Sequence, residues 1–359
     1  MPRVLFAVGA WGLGHATRDL PLIEGLLARG CHVTVASSGQ ALEVLAQHLG
    51  GRCPLERLPE MPTPLGRSAP RFYARFLLSL GRVLRWVQQD RRAVEALLRA
   101  GGYDAIVSDN RYGAASPYVP SYHIAHQVRF IAPGRNRALE RALLAVHAAL
   151  LAPACRIFVP DTGATPSLSG DLAHGLPPTL ARRVRYLGIL SSLEGAANGD
   201  ADPLDYFITL SGPEPQRTLL QEAVLRQLPA LPGRGVVALG IPCSPLRLRV
   251  GGADVYGFLP RRQQGEAMAR SRVVAARGGY TTLMELAALG KRAVLVPTPG
   301  QTEQEYLAAY HRSLGTFHGV SQRRLRLAED LPRALEGRGF PAPNTTREAV
   351  EVFVRELLG

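Results

Sequence analysis

The fold of the N-terminal half is decided by its first 37 residues, MPRVLFAVGAWGLGHATRDLPLIEGLLARGCHVTVAS. Residues 4–8 are a short apolar run that predicts a buried strand, and a glycine-rich turn follows. Apolar residues then recur at helical spacing over residues 16–29, and Gly30 is the residue type expected just beyond a helix end. Residues 32–37 predict a second strand. Strand, crossover helix and strand form one βαβ unit, which implies a parallel sheet.

The same alternation continues along the chain. Strands are predicted at residues 104–108, 121–126, 156–160, 206–211, 235–239, 255–258, 273–275 and 293–297. Helices are predicted at residues 72–100, 137–151, 216–227, 281–289, 304–311 and 345–358, and a proline- and glycine-rich loop at 53–70. Two βα-repeating halves predict an α/β protein with two doubly wound, Rossmann-like domains that face each other across a cleft.

The domain boundaries are predicted from a change in composition. Residues 196–203, AANGDADP, are small and polar and end in proline, which favours a linker. We therefore place one domain at residues 1–195 and the other at 204–340. An amphipathic terminal helix within residues 341–359 is expected to pack back on the N-terminal domain.

Length and composition restrict the class of protein. The 359 residues, 46% of them hydrophobic, suit two domains with buried cores. Apolar stretches are interrupted well before the ~20 residues that a membrane span needs, and the N-terminus lacks the pattern of a signal peptide. The four cysteines form no CxxC pair and match no zinc site. We expect a soluble, cytoplasmic protein with reduced cysteines and no metal site.

The net charge of +13 arises from 42 Lys and Arg against 29 Asp and Glu. This excess reflects either a GC-rich genome or an anionic partner, such as a nucleotide diphosphate or an acidic membrane surface. No nucleic-acid-binding module accompanies the charge, so no nucleic acid partner is expected. Residues 72–100 interleave aromatic residues and leucines with arginines. That pattern suits either a helix lying on an anionic bilayer, which would make the protein peripheral, or a helix packed on the sheet with a solvated basic face.

The glycine-rich loop GAWGLGH, residues 9–15, lies between the first strand and the first helix. Glycines let the backbone approach a ligand, and a helix N-terminus favours negative charge. A dinucleotide site is less favoured, because the third glycine and the acidic residue after the second strand are missing. His15 lies at the carboxyl edge of the sheet and is a candidate base. Asp109 ends a strand of the same half, so it either supports His15 in the same crevice or caps the next turn.

Three segments of the second half follow predicted strands. SGPE, residues 211–214, exposes backbone N–H groups to a phosphate, and RGGYTTLME, residues 277–285, opens a helix with two glycines that suit a diphosphate. Glu285 lies one helical turn beyond Thr281 and Thr282, where its carboxylate can accept hydrogen bonds from two ribose hydroxyls. PTPGQTEQE, residues 297–305, offers polar groups to a sugar. Each segment alone is compatible with ordinary turn chemistry, but together in this order they favour a nucleotide-sugar site.

On these motifs the chain resembles the GT-B glycosyltransferases. The GxGH loop and the stretch RGGYTTLMELAALGKRAVLVPTPGQTEQ are most similar to the MurG-like branch, which includes the N-acetylglucosaminyltransferase of peptidoglycan lipid synthesis. SDNRYG and ITLSGPEPQR look like uncharacterised bacterial and archaeal members. The resemblance covers both halves, most clearly residues 1–40 and 270–310.

The resemblance implies an inverting, metal-independent transfer of a sugar from a nucleotide-sugar, a UDP-sugar, to an unidentified hydroxyl acceptor such as a lipid or cell-envelope precursor. The nucleotide-sugar is a substrate, and no cofactor is expected. His15 matches the family's loop histidine proposed as base, and Asp109 resembles the aspartate that pairs with it. Glu285 matches the ribose-binding glutamate. Gln304 matches the first of a glutamine pair whose second member is Glu305 here, which leaves the donor sugar open.

The loop at residues 211–213 also replaces a longer glycine-rich loop of the lipid II enzyme, so that activity is not assigned. The residues expected to bind the donor are Ser211, Gly212, Arg277, Gly278, Gly279, Thr281, Glu285, Glu303 and Gln304. Those expected on the acceptor side are Gly12, Gly14, Asn110, Arg111, His126 and Gln127. Two alternatives stay open: a nucleotide-sugar 2-epimerase of the same fold, and a non-catalytic nucleotide-sugar-binding protein.

Overall fold

The computed structural model describes residues 1–11, 13–60, 69–193, 202–342 and 344–359, with only the backbone at residues 13 and 69–80. The chain divides into two compact units. Unit 1 comprises residues 1–192 with 343–359, and unit 2 comprises residues 193–342. The predicted linker lies outside the described residues except for Asp202 and Pro203.

Unit 1 is built on one parallel sheet. Its strands are β1 (Arg3–Val8), β2 (His32–Ser37), β3 (Leu55–Arg57), β4 (Ala105–Asp109), β5 (Ser121–Ile124), β6 (Arg156–Val159) and β7 (Val184–Tyr186). Its helices are α1 (Leu13–Ala28), α2 (Gly39–Leu49), α3 (Ala69–Gly101), α4 (Arg137–Leu150), α5 (Pro178–Ala181) and α11 (Thr346–Leu358). In the described part of the chain the strand order is β3-β2-β1-β4-β5-β6-β7. The predicted loop at 53–70 was wrong at β3, which is too short to show a periodicity of its own.

The strand order places the carboxyl ends of strands β1 and β4 side by side. β1 lies between β2 and β4, and Val8 pairs with Asp109, the last residues of their parallel strands. The crossovers leave β1 and β4 in opposite directions, which makes their carboxyl ends the switch point where α/β sheets bind ligands. Strand β1 is held in this position because its residues 4–8 are all fully buried.

The terminal helix α11 packs on unit 1. A side chain at Gly25 of α1 would lie 2.2 Å from Val350, so the glycine allows the two helices to approach closely. Phe353 packs against Phe6 and Phe158, with ring centroids 6.3 Å and 5.3 Å apart. The helix therefore covers one face of the unit 1 sheet.

Within residues 72–100, Trp86 faces inward: it is 4% exposed, and the guanidinium of Arg111 lies over its ring. Leu84 is 48% exposed, and its neighbours Arg82 and Arg85 are also exposed. α3 thus combines an inward apolar face with a basic outer face over the part whose side chains are described. Across the described residues, no helix is both long and apolar enough to cross a membrane.

Unit 2 has a second sheet. Its strands are β8 (Leu204–Thr209), β9 (Gly235–Ala238), β10 (Arg247–Val250), β11 (Ala253–Tyr256), β12 (Ser271–Ala276), β13 (Arg292–Leu295) and β14 (His318–Gly319). Its helices are α6 (Gln216–Gln227), α7 (Arg261–Arg270), α8 (Tyr280–Ala288), α9 (Thr302–Leu314) and α10 (Leu327–Glu336). The order within the described residues is β10-β11-β9-β8-β12-β13-β14.

The edge strand β10 departs from the predicted parallel arrangement. It pairs antiparallel with β11 through a turn at Gly251 and Gly252, where Gly251 has a positive φ of 59°. The remaining pairs are parallel, and β8 lies between β9 and β12. The carboxyl ends of β8 and β12 form the switch point of this sheet, and the segments beginning at Ser211 and Arg277 follow them.

Candidate active site

In unit 1 the structure brings His15 and Asp109 together across 94 positions of sequence: His15 Nδ1 lies 2.9 Å from Asp109 Oδ2. His15 stands in the first turn of α1, just after β1, and Asp109 ends β4. Gly9 permits the approach, because a Cβ there would lie 2.9 Å from the Asp109 carbonyl oxygen. The predicted shared crevice therefore has a direct contact in it.

Arg18, which the sequence analysis did not weigh, joins this pair. Its Nε and Nη2 donate to the two Asp109 carboxylate oxygens at 2.9 Å and 2.5 Å, and its Nη1 lies 2.8 Å from His126 Nδ1. The residue is 2% exposed. It lies three positions after His15, hence on the same face of α1, and that spacing was the signal that could have found it.

The electrostatics of the pair follow from these contacts. Burial raises the pKa of the Asp109 carboxyl, but the charge of Arg18 and the contact with His15 outweigh burial and hold that pKa far below its usual range. Burial lowers the pKa of His15; Asp109 opposes that change and Arg18 adds to it. Asp109 is therefore ionised and His15 neutral at neutral pH, the state in which a histidine accepts a proton.

Asp19 is a second buried carboxyl beside the first. Its Oδ1 lies 3.9 Å from Arg18 Nε, and a side-chain hydrogen bond with Asp109 is among the interactions that raise its pKa. Burial, and then the negative charge of Asp109, raise its pKa well above the usual value. Burial and the charge of Asp109 thus both favour the protonated form of Asp19.

The other predicted acceptor-side residues separate into two groups. Gly14, Asn110, His126 and Gln127 are half-buried, while Gly12 lies outside the described residues. Arg111 was wrongly expected to face an acceptor. Its guanidinium is buried, donates to Asp90 Oδ1 at 2.7 Å and to the Pro59 carbonyl at 2.7 Å, and so ties α3 to the sheet.

A further buried group lies behind this edge. Tyr112 Oη contacts His147 Nε2 at 2.9 Å, and His147 Nδ1 lies 2.8 Å from the Val128 carbonyl oxygen. A carbonyl only accepts, so His147 donates from Nδ1 and accepts from the tyrosine. Burial lowers the pKa of His123 to about 3 and that of His147 to about 4. These neutral rings are packing groups.

In unit 2, Arg277 does not face outward to a diphosphate as expected. Its guanidinium donates to four backbone carbonyls, those of Ser211 (3.2 Å), Gln216 (2.9 Å), Val296 (3.2 Å) and Pro297 (3.2 Å). Burial lowers its pKa to about 10. Arg277 therefore connects the ends of β8, β12 and β13, so that the three predicted donor segments lie together.

Two glycines open α8 beside this connection. Gly279 is the residue before the helix, and a Cβ there would meet no atom within 4 Å. At Gly278 an added Cβ would make only an ordinary contact, 3.5 Å from the Gln304 carbonyl oxygen. Gly212 has a φ of 110°, which favours glycine, and Ser211 beside it is exposed. At these glycines no side chain covers the backbone, which is where the sequence predicts a bound phosphate.

The predicted sugar and ribose contacts lie on α8 and α9. Glu285 is 5% exposed and accepts from Arg261 of α7, a partner that the sequence analysis missed. Thr281 and Glu303 are half-buried. Gln304 Oε1 accepts from the Thr298 backbone at 2.9 Å, which holds the loop between β13 and α9.

Among the residues whose positions are described, no group of three or more His, Cys, Asp or Glu side chains is arranged to hold a metal ion.

Comparison with known proteins supports a glycosyltransferase. Residues 250–355 match the glycosyltransferase family 28 C-terminal domain. Two relatives named UDP-N-acetylglucosamine--N-acetylmuramyl-(pentapeptide) pyrophosphoryl-undecaprenol N-acetylglucosamine transferase match over 86% of this chain and 80% of their own. The one from Methylobacterium radiotolerans is 26% identical over 328 residues, and the one from Methylobacterium sp. strain 4-46 is 29% identical over 331. The chain is a glycosyltransferase.

Solved structures show that this glycosyltransferase has the GT-B fold. The kitacinnamycin glycotransferase superposes with a TM-score of 0.69 at 18% identity, covering 99% of this chain and 100% of that one. MurG of Acinetobacter baumannii gives 0.60 at 15% identity with the same coverage. Streptomyces sp. SF2575 SsfS6, complexed with thymidine diphosphate, gives 0.60 at 17% identity, covering 99% of each chain. The glycosyltransferase therefore carries its candidate residues at the switch points of two Rossmann-like sheets.

Proposed function

We propose that this glycosyltransferase moves a sugar from a UDP-sugar to a hydroxyl acceptor with inversion at the anomeric carbon and without a metal. The observation that carries the proposal is the buried contact between His15 and Asp109. A carboxylate that accepts from Nδ1 leaves the other ring nitrogen, Nε2, to take a proton. The base is supplied by unit 1, and the donor is bound by unit 2.

The proposed step is a single displacement. The acceptor oxygen forms a bond to the anomeric carbon while the bond from that carbon to the diphosphate oxygen breaks. The bonding electrons leave with the nucleoside diphosphate, and the hydroxyl proton passes to His15 Nε2. Backbone N–H groups at Gly278, Gly279 and the start of α8 meet the developing negative charge. Arg277 contributes by holding those segments in place.

The identity of the donor rests on unit 2 and on the relatives. Glu285 is proposed to accept from the ribose hydroxyls, with Arg261 orienting its carboxylate, and Glu303 and Gln304 to contact the sugar. The names of the sequence relatives specify a UDP-sugar, whereas one structural neighbour was solved with thymidine diphosphate. A thermal-shift panel of UDP-, GDP- and dTDP-sugars separates these nucleotides, because a ligand that binds the folded state stabilises it.

The acceptor is proposed to be a lipid or cell-envelope precursor, reached by peripheral association with the inner face of an anionic membrane. Two observations support this. The relatives' names include pyrophosphoryl-undecaprenol as the acceptor, and the outer face of α3 exposes Arg82, Arg85, Arg91 and Arg92.

Three variants test the division of roles. Glu285→Ala is expected to weaken UDP binding by roughly 1.5–3 kcal/mol, the value of a hydrogen bond to a charged group. His15→Ala is expected to leave UDP binding unchanged and lower the transfer rate by about 10²–10⁴-fold. Asp109→Asn is expected to resemble a milder His15 variant. Calorimetry with UDP and turnover of the same proteins give both quantities.

The outcomes separate the competing functions. Loss of UDP binding in His15→Ala with intact binding in Glu285→Ala would reverse the assignment of the two units. Sugar release or epimerisation of the donor without an acceptor would favour an epimerase. Binding of UDP-sugars with no turnover, unaffected by His15→Ala, would indicate a binding protein.

A further inference from the structure

We propose that Arg18 is a positioning residue that sets opposite tautomers in two histidines, so that His15 accepts a proton at Nε2 while His126 donates one at Nε2. The proposal deepens the proposed function, on which it rests only in naming His15 as the base. The tautomers themselves are properties of the free protein.

The placement of Arg18 makes this role available to it. The residue lies one turn beyond His15 on α1, and its side chain is almost fully buried. Its guanidinium contacts Asp109 at the end of β4 and His126 just beyond β5. The planar fork of an arginine fixes several donors at once. One side chain of α1 therefore reaches groups that follow two adjacent strands of the sheet.

The tautomer of His126 follows from the donor inventory. Arginine has only N–H donors and keeps its charge at any ordinary pH. At 2.8 Å, Arg18 Nη1 donates to His126 Nδ1, so that nitrogen presents its lone pair. A neutral imidazole with a bare Nδ1 carries its hydrogen on Nε2. His126 is thus a donor at Nε2.

The tautomer of His15 requires a choice, because two groups compete for its Nδ1. Asp109 Oδ2 and Arg18 Nη2 both lie 2.9 Å from that nitrogen. A bare Nδ1 would place its lone pair against the lone pairs of the carboxylate. Arg18 Nη2 has two hydrogens and donates one of them to Asp109 Oδ1 at 2.5 Å, so it is paired without Nδ1, whereas Asp109 Oδ2 can act only as an acceptor toward Nδ1. The hydrogen therefore lies on Nδ1 of His15, is donated to Asp109, and leaves Nε2 bare.

The surrounding charges and burial keep the His15 ring neutral. Among the described residues, the titratable or charged groups that act on His15 are Asp109 from β4, Arg18 from α1, His123 from β5 and His126. The charges of Arg18 and Asp109 oppose each other, and His123 is neutral. The charge of Arg18 lowers the pKa of His15, so the ring is neutral and can accept the proton of the acceptor hydroxyl.

The test is the tautomeric state of each ring, read from long-range ¹H–¹⁵N correlation spectra of histidine-labelled protein at neutral pH. His15→Asn and His126→Asn assign the signals. In the unmodified protein we expect the Nδ1–H pattern for His15 and the Nε2–H pattern for His126. The opposite pattern at either ring overturns the proposal.

Two variants then test Arg18 itself. Arg18→Lys keeps the charge beside Asp109 but lacks the fork, so His126 is expected to shift to a mixture of tautomers while His15 keeps its pattern. Arg18→Met removes the charge, and His15 is expected to titrate roughly one pH unit higher. Arg29→Lys, an exposed position just after α1, is the matched control and should change neither ring.

The results separate this proposal from the function it rests on. A His126 that keeps a single Nε2–H tautomer in Arg18→Lys overturns the positioning role, whatever the activity. Should Arg18→Met not fold, the lysine variant still decides the question. Full transfer activity in His15→Ala would remove the proposed base and leave the tautomer result standing.

Discussion

Replacing Asp109 or its neighbour Asp19 by asparagine should have different effects on the free energy of unfolding. Asp109 accepts one hydrogen bond from His15 and two from Arg18, all within a buried site. Asp109→Asn removes the charge that pairs with a buried guanidinium, which costs about 3–5 kcal/mol of unfolding free energy in comparable cases. Asp19→Asn replaces a carboxyl whose pKa is raised by folding with a neutral amide of the same shape, so at neutral pH it should leave the unfolding free energy unchanged or raise it.

Fluorescence provides the assay. The chain's two tryptophans, Trp11 and Trp86, both lie in unit 1, and Trp86 is buried. Urea unfolding followed by tryptophan emission at neutral pH therefore reports on unit 1. The double variant should lose more than Asp109→Asn alone, because Asp19 can then no longer ionise beside Arg18. An Asp19→Asn loss as large as that of Asp109→Asn would refute the reasoning, since Asp19 would then be the ionised partner.

The pH dependence of stability tests the direction of the two pKa shifts independently. The pKa of Asp109 is lowered in the folded state, so its stabilisation is present above the unfolded value of about 3.9 and is lost as the pH falls. Asp109→Asn should remove part of this acid sensitivity. The pKa of Asp19 is raised, so its contribution is present below about 3.9 and is lost as the pH rises through the folded value. Asp19→Asn should flatten that decline.

Four further outcomes are expected. Arg277→Met removes the donor from four carbonyls and should lower the unfolding free energy of unit 2 by roughly 2–6 kcal/mol at 0.5–1.5 kcal/mol per bond; urea unfolding followed by circular dichroism should show no such loss for Arg272→Met, an exposed position on β12, and equal losses would discount the carbonyl contacts. Gly279→Ala should leave stability unchanged, because its Cβ meets no atom, yet weaken UDP binding by roughly tenfold, about 1.4 kcal/mol; unchanged affinity in calorimetry would place the diphosphate elsewhere. Transfer activity should survive exhaustive EDTA treatment, and its loss with recovery on adding Mn²⁺ or Mg²⁺ would contradict the metal-independent step. The protein should float with anionic but not neutral liposomes, at about 1 kcal/mol per arginine near the surface; failure to bind at low salt would count against the membrane proposal.

The parts of the site that sequence could predict are those fixed by strand ends. His15 follows β1 and Asp109 ends β4, and parallel strands that pair in register bring such residues to one edge. The segments after β8, β12 and β13 lie together in unit 2 for the same reason. Their roles in the reaction stay predictions, since backbone placement brings groups together without showing what they bind.

Side-chain direction was beyond the sequence pattern. Arg111 and Arg277 follow strand ends just as Asp109 does, yet both guanidiniums turn inward. The partner of Arg111 is Asp90 on α3, and those of Arg277 are backbone carbonyls of other segments. Neither partner is marked by spacing along the chain. Arg18 is the opposite case, because its spacing from His15 was visible, and only its link to Asp109 and His126 needed the fold.

The position of α11 has a consequence for how the protein is made. Unit 1 begins with the first residue, but the helix that covers Phe6 and Phe158 arrives only after residues 193–342 have been synthesised as unit 2. During synthesis the apolar rings of unit 1 therefore stay uncovered until unit 2 and then α11 have been made. A stalled ribosome or a chain cut at residue 342 would release a finished unit 2 attached to an unfinished unit 1, with aggregation-prone surface where Phe353 packs in the complete chain.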